Sequence, residues 1–286
     1  MNPSKNIAVC LSFDFDGVSV WSGSFRTRSP STLSRGEFGK VGTARILDLL
    51  DRYRLPASWF IPGHTAETFP DSVQRIADAG HELGHHGYCH ENPRSLSADQ
   101  ERDILERGMA CLQRVTGTPP VGYRSPAADV SPVTHSLLLE YGFVYDSSMM
   151  ADDFTPYYCR VGDEMRTDAP YVFGQEIDVL ELPLDWSLDD WPYFNLHWPA
   201  NHVGLRTPDE VYQIWAADFD FLYDRIGQGV YTLTMHPQVI GRGHRLLMLE
   251  RLIDYFQGHD GVTFKTMGQV ATEWKQAHPL RGGSDA

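Results

Sequence analysis

Residues 7–13, Ile-Ala-Val-Cys-Leu-Ser-Phe, form an uninterrupted apolar and β-branched run that ends in Asp14-Phe15-Asp16-Gly17. A strand that is apolar at almost every position is buried on both faces, as in a parallel sheet covered by helices. Two carboxylates at the end of such a strand are costly unless they are paired or bound to a metal. The two-residue period of a strand points Asp14 and Asp16 to the same side. The competing reading is a turn with solvated aspartates ahead of Gly17.

The rest of the chain alternates helix and strand. The apolar face of Ile46, Leu47, Leu49, Leu50 and Tyr53 predicts a helix over 40–54, followed by a strand at 57–61 and a short helix at 70–79. A third strand and its exit loop begin after Gly80. Ser97 and Gly117 carry the start and stop signals of a helix over 97–116, and Arg124 then falls at a strand end. Further on, the pattern predicts helices at 131–141, 208–226, 244–257 and 266–276, and strands at 143–146, 178–183, 230–236 and 262–264. Residues 18–38 read as a long loop suited to a lid or subunit contact, and 147–178 as an irregular insert bearing aromatics. Regular alternation implies a parallel sheet, and the length favours an α/β fold closed into a distorted (β/α) barrel of seven or eight parallel strands. Residues 1–286 are expected to be one domain with long barrel-top loops. Asp14, Asp16, His86, His90, Arg124, Asp185 and His236 all follow strand segments and would gather at the carboxyl-end mouth.

The net charge of −14, from 38 acidic against 24 basic residues, argues against a nucleic-acid backbone as partner. The apolar start of the chain is too short to span a membrane and lacks a small-residue cleavage site, so a cytoplasmic enzyme is expected. Cys10, Cys89, Cys111 and Cys159 show no C-x-x-C spacing and read as reduced thiols.

His81-Glu-Leu-Gly-His85-His86-Gly-Tyr-Cys-His90 holds four of the twelve histidines. Imidazole is a frequent ligand of divalent transition metals, and His86 and His90 have the four-residue spacing that lets two rings turn to one point. Cys89, between them, reads as a bystander. Trp186, Trp191, Tyr193, Phe194 and Trp198 form an aromatic group that suits either substrate stacking or local packing.

Taken in order, these motifs resemble those of the polysaccharide deacetylase family, whose members share the NodB homology domain, over roughly residues 7–270. Asp16-Gly17 is similar to the end of that family's first motif and Gly80 to His90 to its second. Arg124-Ser125-Pro126, Leu184-Asp185-Trp186 and Leu233-Thr-Met-His236 are similar to the third, fourth and fifth. The resemblance implies Asp16, His86 and His90 as ligands of one divalent metal, with zinc expected and cobalt, nickel or manganese also accepted by such a set. It implies Asp14 as general base toward a metal-activated water, Arg124 as the group that holds Asp14, and His236 as general acid oriented by Asp185. His81 becomes structural and His85 an outer or lining residue. The backbone near Ala127 would face the oxyanion, and Trp186, Trp191 and Tyr193 are candidate substrate contacts.

The sequence departs from the family pattern where Phe15 separates the two aspartates and where Ala127 replaces an aromatic. These departures resemble a branch that includes cyclic imide hydrolases, allantoinase-like proteins and peptidoglycan-deacetylase-like proteins, commonly tetramers. The expected function is metal-dependent hydrolysis of a non-peptide carbon-nitrogen bond in a small cyclic imide or ureide. The alternatives are N-deacetylation of N-acetylated sugars and a non-catalytic barrel that only binds.

Overall fold

The computed structural model describes residues 5–196 and 205–280. Its strands are β1 (Asn6–Asp14), β2 (Ser58–Ile61), β3 (Glu82–His85), β4 (Gly122–Tyr123), β5 (Tyr145–Asp146), β6 (Tyr157–Val161), β7 (Gln175–Glu181), β8 (Gln228–Met235) and β9 (Val262–Phe264). Helices α1 (Pro30–Glu37), α2 (Gly39–Tyr53), α3 (Gly63–Thr68), α4 (Pro70–Asp78), α5 (Ala98–Thr116) and α6 (Thr134–Glu140) lie between the first strands. Helices α7 (Trp191–Phe194), α8 (Pro208–Phe221), α9 (Pro237–Ile240), α10 (Gly243–Gln257) and α11 (Met267–Ala277) follow.

The strands form one curled sheet in the order β6-β7-β5-β4-β3-β2-β1-β8. Strand β1 is its axis. Ser12–Asp14 pair with β2, Ile7–Val9 pair with β9 along the lower half, and β8 runs the other edge. Every pairing is parallel except β6 with β7. The two ends of the sheet meet through single contacts, an Asp189–Thr234 bridge and a Val230 N–H to Phe154 carbonyl bond of 2.9 Å, so the barrel is distorted and only partly closed. This is the expected barrel with eight parallel strands and one antiparallel addition.

The sequence signals explain most elements. Ser97 with Gln100, Thr207 with Glu210 and Thr266 with Gln269 form capping boxes that start α5, α8 and α11. Ile7, Val9, Leu11 and Phe13 of β1 are buried in one cluster with Ile46, Leu47, Leu49 and Leu50 of α2. Each such side chain contributes roughly 1.5–3 kcal/mol of transfer free energy.

Three expectations are corrected. Residues 18–38 are not one loop, because Val20–Ser24 forms a wide π-type turn and Pro30, at a first helical position, opens α1. The 147–178 insert is not irregular throughout, since β6 lies antiparallel on β7 with a register shift between Tyr158 and Arg160 that breaks the alternation in sequence. The predicted 208–226 helix is regular to Phe221 and then widens into a π-type turn, Leu222–Ile226.

Candidate active site

Asp14 is the last residue of β1, and Gly17 (φ +58) turns the chain just beyond Asp16. Gly36 of α1 packs against the Gly17 carbonyl so closely that any Cβ would overlap it, which fixes the approach of α1 to this turn. Strand β3 ends at His85 with His86 immediately after it, and Gly87 (φ +73) bends the chain toward His90, which itself sits in the left-handed region at φ 57. A histidine in that conformation is held there by its surroundings. The Ser24 hydroxyl donates to the His90 carbonyl (2.7 Å) and contacts His90 Nδ1 (2.6 Å), while Gly23 lies against the Cys89 carbonyl.

These turns bring Asp16, His86 and His90 together in the interior. Asp16 Oδ1 is 3.5 Å from His86 Nε2 and 3.7 Å from His90 Nε2. His86 Nδ1 lies 2.7 Å from the Arg124 carbonyl, an acceptor, so Nδ1 carries the proton and the Nε2 lone pair faces Asp16. The Ser24 hydroxyl proton goes to the His90 carbonyl, so His90 Nδ1 is likewise the donor and Nε2 is free. Asp16 Oδ1 is buried and has no hydrogen-bond partner. Two imidazole lone pairs and an orphaned carboxylate oxygen converging on one point fit a divalent cation, with both rings oriented by outer partners.

The electrostatics agree. Burial pushes the Asp16 carboxyl up, but His90, His86 and His236 outweigh it and hold it at about 2. Burial lowers His90 to about 4 against the pull of Asp16. Burial also opposes charge on His86, yet Asp14 and Asp16 raise its proton affinity overall. A cation at this point takes the place of that proton.

Asp14 sits beside this group, with Oδ2 3.9 Å from His86 Nε2 and Oδ1 accepting from Arg124 Nη1 at 2.8 Å. Arg124 is buried and all of its donor groups are engaged. Nη1 also donates to Ser12 Oγ (2.9 Å), Nε to the Ser147 carbonyl (3.1 Å) and Nη2 to Ser147 Oγ (3.0 Å), and the guanidinium lies 4.3 Å from the centre of the Phe60 ring. A fully satisfied planar cation fixes one oxygen of Asp14 and leaves the other toward the cavity.

His236 directly follows β8, with Nε2 3.9 Å from Asp16 Oδ2. The expectation that Asp185 orients it is corrected. Asp185 caps the turn that follows it, accepting from Ser187, whereas Asp190 binds His236 twice, Oδ1 to Nδ1 at 2.7 Å and Oδ2 to the backbone N–H at 3.0 Å. Asp189 Oδ1 is 3.7 Å from the same ring nitrogen. Burial alone would strip charge from His236, but Asp189 and Asp190 hold its pKa well above the ordinary value. In return Asp189, desolvated, is pushed up to about 7 despite His236, and Asp190 is raised for the same reason.

A cavity of about 220 Å³ joins these groups, and its walls include Phe25, Ser125, Ala127, Ala128, Leu184, Trp186, Asp189 and Trp191. Ala127 and Trp186 therefore stand where expected, as does Trp191, whose ring centre is 5.0 Å from that of His236. Ala127 and Ala128 both have positive φ, an uncommon conformation for residues that carry a Cβ, and both line the cavity. Tyr193 does not line it and instead bonds the Ser187 carbonyl (3.1 Å), and Trp198 lies outside the described residues. His85 supports the ligand loop from behind. Its Nε2 donates to the Leu105 carbonyl (3.1 Å), Nδ1 accepts from Gly87 N (3.2 Å), and burial lowers it to about 3. His81 is partly buried near Trp59, and Cys89 contacts Ser22 rather than the cluster.

Sequence reasoning missed Asp189, Asp190, Ser24, Ser147 and Gln238, whose Nε2 donates to Asp16 Oδ2 at 3.1 Å. The adjacent pair Asp189-Asp190, four residues past the motif that drew attention to Asp185, was the one visible signal among them.

A polysaccharide deacetylase family model matches residues 30–145. The chain is 40% identical to a peptidoglycan deacetylase of Helicobacter pylori, across 97% of this chain and 99% of that protein. A crystal structure from Mycobacterium smegmatis assigned to the polysaccharide deacetylases superposes with a TM-score of 0.85 at 36% identity, covering 98% of this chain and 94% of that one. The Puue allantoinase structure shares the fold at TM-score 0.80 and 23% identity, with coverage of 98% and 94%. The chain belongs to the polysaccharide deacetylase family, hydrolases of carbon-nitrogen bonds other than peptide bonds.

Proposed function

We propose that this chain is a metal-dependent N-deacetylase of N-acetylated sugars, of the peptidoglycan or chitin type. The observation that carries the chemistry is the meeting, in one cavity, of the Asp16, His86 and His90 donor set with an arginine-held Asp14 and a protonated His236. The near full-length likeness to a peptidoglycan deacetylase supports the substrate class.

Asp16, His86 and His90 would hold one divalent ion, zinc by the nitrogen and oxygen character of the set. When bound, such an ion polarises the amide carbonyl and makes water more acidic. Asp14 takes the proton of the attacking water on Oδ2, because Oδ1 is fixed by Arg124. As water adds to the acetyl carbon, the backbone at Ala127 faces the oxygen that gains charge. His236 Nε2 then gives its proton to the sugar nitrogen as the C–N bond breaks, releasing acetate and an amine, while Asp190 keeps Nδ1 protonated and the ring aligned. Trp186 and Trp191 wall the space above the reacting amide.

A second reading, opening of a cyclic imide or ureide, is favoured by the small size of the cavity and its aromatic walls. The same residues would perform it, with the ring nitrogen as leaving group. A purely binding barrel is disfavoured because both Asp14 and His236 are in position. We further propose that residues 1–286 are one catalytic domain, working as a homotetramer in the cytoplasm on sugar precursors or fragments rather than on intact wall. Among the described residues no helix is long and apolar enough to cross a membrane.

Incubating the metal-loaded protein with N-acetylglucosamine oligomers and muropeptides should release acetate. Parallel incubation with succinimide, dihydrouracil, hydantoin and allantoin, followed by absorbance, tests the second reading. Ring consumption without acetate release would overturn the first.

A further inference from the structure

Beside the catalytic cavity lies a second one of about 240 Å³, lined by Trp21, Arg35, Gln238, Arg242 and Arg245 among others, with no carboxylate among the described residues of its lining. Three guanidinium groups in one concavity is unusual in a chain of net charge −14, where acidic partners are plentiful. None of the three forms an ion pair with a described carboxylate. Aromatic faces, backbone carbonyls and, for Arg35, the Asn195 amide oxygen hold them instead. Arg242 lies 3.5 Å from the centre of the Phe38 ring, Arg35 4.4 Å from Trp21, and Arg245 4.6 Å from Phe194. Arg35 donates to the Leu196 carbonyl (2.6 Å), and Arg245 to those of Val239 (2.9 Å) and Phe194 (3.2 Å).

The arrangement carries an electrostatic cost. Desolvation, then the charge of Arg242, lowers Arg35; desolvation likewise lowers Arg245, with Asp190 acting against it from beyond ion-pair distance and Arg242 and Arg35 adding to it. Arg245 is 7% exposed, and its Nε is buried without a partner, as is Oε1 of Gln238. Stacking occupies the guanidinium faces, and among the described residues the N–H edge of Arg242 makes no hydrogen bond, the geometry that receives a carboxylate or phosphate.

We propose that this cavity is an oxyanion-binding site in which Arg35, Arg242 and Arg245 receive a carboxylate or phosphate group. Gln238 lines the cavity and also donates to Asp16, so the site is joined to the catalytic group by a single side chain. The anion is either an acidic arm of the substrate, in which case this inference rests on the deacetylase reading, or a free oxyanion.

Calorimetric titration of the metal-loaded protein with sodium sulfate should show one saturable site of about millimolar affinity. Arg242→Ala, which removes an exposed side chain with no hydrogen bond, should weaken it about tenfold or more, and Arg35→Gln should act likewise. His86→Ala should retain it, which separates the site from anion binding at the metal. No saturable binding, binding unchanged in both arginine variants, or binding lost in His86→Ala would each overturn the proposal. The source follows from kinetics. If Arg242→Ala raises KM for carboxylate-bearing N-acetylmuramyl fragments and not for N-acetylglucosamine oligomers, the anion belongs to the substrate. An unchanged KM with sulfate binding lost identifies a free anion. If no sugar yields acetate, the deacetylase reading fails while the sulfate titration still decides the site.

Discussion

The Asp16, His86 and His90 cluster and a second cluster of His135, Asp146, Cys159 and Glu181 are both buried, and in each the candidate ligand atoms lie within 4.8 Å of one another. By inventory the second is the richer, with a thiol and four groups. Its bonds, however, are already made. His135 Nε2 is 3.1 Å from Asp146 Oδ2, Asp146 Oδ1 accepts from Ser147 N and Ser148 Oγ, and Glu181 Oε1 accepts from Ser148 N (2.8 Å) and Met149 N (3.0 Å). Cys159 Sγ donates to Glu181 Oε2 at 3.7 Å. Burial and then Asp146 push the Glu181 carboxyl well above the usual carboxylate range, so a proton does the work of a cation. In the first cluster an oxygen is orphaned and two lone pairs face it. Unmet bonds, rather than a list of ligand types, distinguish a metal site from a proton-sharing brace. The brace has its own use, because Ser147, beside Asp146, supplies the carbonyl and hydroxyl that anchor Arg124.

The two clusters should respond most differently to a change at His86. His86→Ala should empty the site of metal, read by elemental analysis, and lower kcat about a thousandfold or more. A metal equivalent that survives this change would make the second cluster a cation site after all. Next in size, Asp190→Asn should lower kcat about a hundredfold while Asp185→Asn stays within a few-fold, because Asp190 and not Asp185 is hydrogen-bonded to His236. Equal losses in steady-state kinetics would reverse the assignment.

A smaller effect concerns His85, which separates ligand from support within one histidine stretch. The unfolded chain binds its proton near 6.5 and the folded chain only near 3, so between these values the unfolded state holds more protons and stability falls as pH drops. His85→Gln should flatten that fall by up to about 1.4 kcal/mol per pH unit in denaturant titrations. An unaltered slope would show that His85 takes up protons in the fold. Smallest of all, Glu181→Gln and Cys159→Ser should leave metal content unchanged and shift Tm by a few degrees, for roughly 1 kcal/mol.

Much of this was legible in the sequence. The apolar run 7–13 and the helix–strand alternation carry the sheet, and residues placed by strand ends, Asp14, Asp16, His86, Arg124 and His236, do meet at the mouth. What could not be read depends on turns and on contacts far apart in sequence. Asp190 reaches His236 only because residues 186–194 fold back through two short helical turns. Ser24 meets His90 because the 20–24 segment coils, for which no periodicity gives notice. Strand β6 was hidden by its register shift, since alternation is the only signal a short edge strand offers.

The Ser24 hydroxyl grips both the ring and the carbonyl of His90, a residue whose left-handed backbone costs about 1–2 kcal/mol. That cost is met locally by a segment that begins just after Asp16, the ligand on the other side of the same site. Two of the three proposed ligands are thereby tied to one stretch of chain, so ion binding there and the folding of residues 18–24 should be linked. On that proposal, a change that loosens the segment should weaken the ion, and removal of the ion should relax the segment.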